Sequence, residues 1–383
     1  MDRVYLDYAA TTPVDPRVLQ EMLPYFTENF GNPLSSHYFG QRAEGILEDC
    51  RYRIAKLLNT ESEAILFTAS GSEGDNLAIR GTVIAAKKDY GKDTILISPV
   101  EHPAVMNTAK QLRDVYDCKI IELRIDEYGQ INLDDLREKI NEKTALVSII
   151  FGNNEIGTIN PVDEIAKICH EKGALFHTDA VQACAHLPID IKKSDFDLFS
   201  FAAHKFYGPK GVGALIRNRS IQMVAHTTGG KQEHKLRSGT HNIPGIVGLT
   251  KALELSINEQ ESENKKLIHM RDKILSVVPD EIPGSYITGN PTNRLPNHAS
   301  FVFEGINGND LVIMLDMAGF ACSSGSACKV GDPKPSKVLL ALGLKPEMAI
   351  GSLRVTLGKE NTEAQIDRFI DVLIDSVRKL RKI

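Results

Sequence analysis

The sequence predicts an α/β fold, with a large unit built on a mostly parallel seven-stranded sheet and a smaller α+β unit after it. Three observations lead there. Short β-rich runs alternate with stretches of helical period from residue 64 to residue 217, small and polar clusters follow directly on several of those runs, and the pattern changes after Pro244 to a long charged helical stretch. Strand–helix alternation argues for parallel strands with helices on both faces. Ligands in such sheets sit beyond the carboxyl ends of the strands.

Residues 64–68, 94–98, 119–123, 145–151, 174–177, 197–201 and 212–217 read as strands, because each is a short run rich in Ile, Val, Leu or Phe. Between them, 75–86, 105–116, 133–141 and 162–172 repeat apolar residues at helical spacing. Residues 245–278 form the long helix that leaves the first unit. Beyond it we expect a strand near 298–303, a helix near 309–318, a Gly/Ser-rich loop at 323–327 and a helix near 336–342. A strand at 352–357 and a final amphipathic helix from Thr362 close the chain.

Composition narrows the function. With 383 residues, 42% apolar and 25% charged, the chain is ordinary for a globular protein and long enough for two domains. Its 45 basic against 50 acidic residues give a formal charge of −5, which offers no basic field to nucleic acid. The longest apolar runs fall far short of the ~20 residues that cross a bilayer. The opening Met-Asp-Arg-Val-Tyr-Leu-Asp-Tyr lacks a signal segment. The reading is a cytoplasmic protein with no membrane and no direct nucleic-acid partner. Six cysteines in so long a chain make no disulfide framework, and no C-x-x-C pair points to zinc, so no metal is expected.

Four polar clusters follow predicted strands. Ser70-Gly71-Ser72 opens a helix, where backbone N–H groups favour a phosphate, although a Ser-capped helix alone would look the same. Asp179, with Gln182 close behind, ends the 174–177 run; it is either a partner for a positive ring nitrogen or a loop carboxylate. His204-Lys205 precedes Gly208-Pro209, a setting that desolvates the amine and frees it to form a Schiff base. Glu101-His102-Pro103 offers an imidazole that can lie on a planar cofactor. An anion cradle, a carboxylate and an imine-forming lysine are together the set that aldehyde-cofactor chemistry needs.

With these residues in view, the chain resembles pyridoxal 5′-phosphate enzymes of fold type I, in the class V aminotransferase group, and within it the NifS/IscS-type cysteine desulfurases. The resemblance also rests on Tyr5-Leu6-Asp7-Tyr8-Ala9-Ala10-Thr11-Thr12-Pro13, Phe30-Gly31-Asn32-Pro33, Asn153-Asn154-Glu155-Ile156-Gly157, Arg237-Ser238-Gly239-Thr240, Ser323-Ser324-Gly325-Ser326-Ala327-Cys328 and Ser352-Leu353-Arg354. It implies a large cofactor domain over 14–258 and a small domain made of 1–13 and 259–383. By the same resemblance Lys205 would form the Schiff base, Asp179 would pair with the pyridine nitrogen, and Asn154 and Gln182 would approach the ring oxygen. His102 would stack on the ring. Gly71, Ser72 and His204 would bind the phosphate, joined by Thr240 from a second subunit of a homodimer. Asn32 and Arg354 would hold the substrate carboxylate.

Cys328, in its Gly/Ser loop, would attack the sulfur of L-cysteine and keep it as a persulfide for an acceptor: an iron–sulfur scaffold, a tRNA-thiolating enzyme or another carrier. Cys322 reads as a buried structural thiol. Rival readings are a selenocysteine lyase or another β-eliminating enzyme, which have no strict need of a loop thiol, and a sulfur-delivery hub with weak catalysis. The chain departs from the usual pattern at Ser70-Gly71-Ser72, where Ser72 replaces a threonine, and at Ala202, where a phosphate-binding serine is usual; that loss removes a hydrogen bond worth about 0.5–3 kcal/mol.

Overall fold

The computed structural model describes residues 3–184, 186–218, 220–325 and 334–382. Seven strands form the main sheet, in the order Ile65–Thr68, Gly213–Arg217, Leu198–Ala202, Leu175–Asp179, Thr144–Ser148, Thr94–Ile97 and Lys119–Glu122. The last five are parallel to one another, and Gly213–Arg217 runs antiparallel to both strands beside it. Reversing twice, Ile65–Thr68 points the same way as the parallel set. Six carboxyl ends therefore meet at one edge, the edge where the polar clusters lie.

Six of the seven strands are buried on both faces, as their mostly apolar runs imply, and the edge strand Lys119–Glu122 is not. One face packs against a core that includes Phe176, Phe199 and Phe201, and the other against a core that includes Leu77, Leu146 and Leu198 under the Gly71–Tyr90 helix. Full burial of each such side chain stabilises the fold by about 1.5–3 kcal/mol. Most expected elements lie within a few residues of their predicted bounds. Two shifts matter for the site: the 75–86 helix begins at Gly71, capped by the Ser70 hydroxyl, and the 174–177 strand runs on to Asp179. The Tyr38–Leu58 helix had no counterpart among the sequence expectations.

Ile243–Glu281 is one continuous helix. Its first half puts Ile246, Leu249 and Leu253 into the core of the large sheet. Its second half puts Leu267, Met270 and Ile274 into another core, beneath the antiparallel sheet of Ser285–Ile287, His298–Phe303 and Ser352–Thr356. The Glu363–Leu380 helix packs there through Phe369 and Leu373, and Val4–Tyr5 reaches the same region by pairing in parallel with Phe320–Ala321. Among the described residues no helix is long and apolar enough to cross a membrane.

Candidate active site

Ser70, Gly71, Ser72, Asp75, His102, Ile150, Asn154, Asp179, Val181, Gln182, Ala202, His204 and Lys205 line one cavity at the carboxyl edge of the large sheet. The sheet explains the meeting. Asp179 is the last residue of its strand and Ala202 of the next, and the cradle follows Thr68. Gly71 and Ser72 form the first turn of a 20-residue helix, whose N-terminal amides and dipole favour an anion. A Cβ at Gly71 would lie 2.5 Å from Val181 Cγ2, so only glycine leaves this wall undisturbed.

Lys205 sits in a short turn directly after the Leu198–Ala202 strand. Its amine donates to the carbonyls of Ala9 at 2.5 Å and Ala10 at 2.8 Å. Burial, reinforced by the Arg354 charge, lowers its pKa to about 8. Asp179 is buried, and burial raises its carboxyl above the usual range, against the pull of His102 and Lys205. A positive ring nitrogen placed against it would offset that penalty. His102 caps the Pro103–Tyr116 helix by accepting the Ala104 N–H on Nδ1, which leaves Nε2 for other partners. His204 shares a 3.2 Å hydrogen bond with the Thr11 hydroxyl, and burial moves its pKa down to about 4, so the imidazole is neutral near pH 7.

Other expected residues are placed differently. Gln182 lines the cavity, but its amide donates to the Ala9 carbonyl at 2.8 Å. Arg354 is outside the cavity lining; it donates to the Asn154 carbonyl at 3.0 Å and to Asp7 at 2.8 Å. Asn32 is exposed and accepts the Leu34 N–H, and it is not among the lining residues. Thr240 is likewise exposed and absent from the cavity of its own chain. Cys328 lies outside the described residues. Cys322 is buried in the core under the small sheet, and burial pushes its thiol pKa up.

Two carboxyls at the site carried no expected role. Asp75 lines the cavity from the Gly71–Tyr90 helix. Glu101 lies just behind, accepting the Ser98 hydroxyl at 2.5 Å and the Ile150 N–H at 3.0 Å, and burial raises its pKa to about 8. The Ala9 and Ala10 carbonyls were also missed. The signal for them was the Tyr5–Pro13 motif, but a carbonyl has no side-chain signature.

The family model Aminotransferase class-V matches residues 4–369. A cysteine desulfurase IscS of Clostridium botulinum is 44% identical over 383 residues, covering 100% of this chain and 96% of that protein. A solved NifS-like protein superposes with a TM-score of 0.91 at 36% identity, covering 98% of this chain and 100% of that one. The structure of SspA in complex with cysteine gives 0.80 at 32% identity, with 92% and 98% covered. The chain belongs to the class V aminotransferase family, and within it to the NifS/IscS-type cysteine desulfurases, enzymes that depend on pyridoxal 5′-phosphate.

The cavity fits that coenzyme. Gly71 keeps the anion cradle open, Asp179 is a buried carboxylate suited to a cationic ring nitrogen, and Lys205 brings a desolvated amine to the same space.

Proposed function

We propose that the chain takes sulfur from L-cysteine at this cavity, carries it on Cys328 as a persulfide and releases L-alanine. The observation that carries the reading is the convergence of Lys205, Asp179, His102 and the Gly71–Ser72 turn on one cavity. The complex of the related SspA with cysteine supports the same substrate here.

Bound pyridoxal phosphate supplies the electron sink that makes the α-proton of an amino acid removable. Gly71, Ser72 and His204 would hold its phosphate, with Thr240 of a second copy. Asp179 would hold the ring nitrogen by opposite charge, His102 would lie on the ring, and Asn154 and Gln182 would approach its oxygen. Lys205 takes the α-proton, and its lowered pKa keeps a usable neutral fraction near neutral pH. Arg354 orients the substrate carboxylate by exchanging Asp7 for it, and Asn32 closes over the same group. The Cys328 thiolate then attacks the substrate sulfur. A sulfur–sulfur bond forms as the carbon–sulfur bond breaks, the bonding pair stays with carbon, and the proton given up by Cys328 is balanced by one taken up there.

We read the fold as a large domain over 14–258 and a small one made of 1–13 and 259–383. A homodimer is supported by the exposed Phe26, Phe30, Leu34, Tyr38 and Phe39, a run of large apolar residues that a second copy would cover. A reducing cytoplasm suits the five described cysteines, all buried and none in a disulfide. The acceptor is an iron–sulfur scaffold or a tRNA-thiolating enzyme.

Purified protein given L-cysteine tests the reading. Alanine should appear with one extra sulfur on Cys328 by mass spectrometry. Cys328→Ser should keep the coenzyme absorbance and lose the persulfide. The extra sulfur on Cys322 would reverse the choice of nucleophile.

A further inference from the structure

Beneath the groups that face the coenzyme lies a polar set that the steps above do not use. Parallel pairing aligns Ser148 with His177 and Asp179 with Ser200, and residues two apart on a strand share a face. Ser148, His177, Asp179 and Ser200 therefore stand on one face of the sheet, the face covered by the Gly71–Tyr90 helix. That helix contributes Asp75. His177 Nδ1 is 2.8 Å from the Ser148 hydroxyl, and Nε2 is 3.0 Å from the Ser200 hydroxyl and 3.6 Å from Asp75 Oδ1. Ser148, His177 and Ser200 are 0% exposed and Asp75 only 1%.

Asp75 is the odd member. Its Oδ1 is buried without a hydrogen-bond partner, although the side chain lines the coenzyme cavity. It shares a cluster with Asp179 and His102 in which the polar atoms lie within 4.8 Å of one another. From the neighbouring elements Asp75 faces Asp179 and His177 on their strand, Ser200 on the next, and Glu101 and His102 on the loop before the Pro103–Tyr116 helix. His177 offers it no positive charge, because burial lowers the imidazole pKa to about 3. The Lys205 ammonium in reach acts on Asp179. Two carboxylates this close, walled from water, repel each other strongly, and such pairs resolve by one keeping its proton.

We propose that Asp75 is a positioning residue that serves as a neutral acid in the cavity wall, seated by the Ser148–His177–Ser200 set, so that Asp179 is the single anion presented to the coenzyme ring nitrogen. Burial and the adjacent Asp179 and Glu101 hold its carboxyl well above the usual range, in the direction this requires. The inference rests on the reading that Asp179 meets that nitrogen.

The test uses the coenzyme-loaded protein, its infrared carboxyl band, and the pH at which the visible absorbance of bound coenzyme changes. Asp75→Asn keeps shape and removes any charge. The expected result is loss of a protonated-carboxyl C=O band present in the parent at pH 8, with the absorbance midpoint within about 0.3 pH units of the parent and coenzyme Kd within about threefold. Glu101→Gln identifies the band that belongs to Glu101. No lost band together with a midpoint displaced by a full unit or more would show Asp75 to be an anion and overturn the proposal.

If Asp75→Asn does not fold, Ser200→Ala removes only a hydroxyl and should move the frequency of the same band; an unmoved spectrum overturns the proposal. Asp179→Asn separates the two readings. It should raise the coenzyme Kd at least tenfold, and unchanged affinity and spectrum in that variant would sink the role of Asp179 rather than that of Asp75.

Discussion

Two sides of the cavity are built in different ways. On the coenzyme side, Asp179 ends a strand, Lys205 follows the next one within three residues, and Gly71 opens a 20-residue helix. On the proposed sulfur side, Arg354 stands on a strand of the small sheet outside the cavity lining, Asn32 is exposed and Cys328 belongs to a Gly/Ser-rich stretch of the sequence. Groups that hold a coenzyme must stay fixed, and the ends of buried strands supply that. Groups that admit a substrate and pass sulfur outward have no such requirement to sit at the ends of buried strands. The two sides should therefore fail separately.

The largest failure belongs to the coenzyme side. Lys205→Ala should change the visible absorbance of the bound coenzyme and lower L-cysteine turnover by roughly 10²–10⁴-fold or more, since in the proposed function the amine both anchors the coenzyme and moves the α-proton. Alanine release at the parent rate would break the comparison outright.

Next in size, Arg354→Ala should raise KM for L-cysteine roughly 10–100-fold, the worth of charge-assisted hydrogen bonds at about 1.5–3 kcal/mol, while the coenzyme spectrum stays that of the parent. Steady-state kinetics beside an absorbance scan reads both. A spectrum that shifts along with KM would mean that the two sides are one.

Gly71→Ala acts in the opposite sense. The added methyl would meet Val181 Cγ2 at 2.5 Å, an overpacking that costs about 1–3 kcal/mol and should weaken coenzyme binding about tenfold. Val181→Ala in the same chain removes the obstructing methyl and should restore most of the affinity, measured by titrating pyridoxal phosphate into apo-protein.

The same division governs what the sequence made legible. The coenzyme side was readable because strand periodicity locates the sheet edge, and the unusual residues Asp179, His204-Lys205 and Ser70-Gly71-Ser72 lie at that edge within a few positions of a strand. Contacts made across the chain were not. Gln182 and Lys205 both give hydrogen bonds to the Ala9 carbonyl, and Arg354 pairs with Asp7 across 347 positions. No local pattern encodes such a meeting. Asp75 stands at the start of the helical stretch read over 75–86, but its burial against Asp179 needs the helix to start at Gly71, four residues earlier than its apolar period implies. The Tyr38–Leu58 helix does carry the period, at Ala43, Leu47, Cys50, Ile54 and Leu58, interrupted by charged residues on its outer face.

The smallest expected effect is one of pH, and it bears on Lys205 alone. In the proposed reaction the amine takes the α-proton only when neutral, and burial with the Arg354 charge lowers its pKa to about 8. The sign follows directly: below that value the amine is mostly ammonium, so turnover rises with pH through 8 and levels above it. Between pH 8 and pH 7 the neutral fraction falls roughly fivefold, and kcat should fall with it. Because Arg354 contributes to the lowering, Arg354→Ala should move the midpoint of the kcat profile upward as well as raise KM. Such a displacement would show one residue of the sulfur side tuning the base of the coenzyme side through charge, and a midpoint fixed to within about 0.2 units would leave burial as the sole cause.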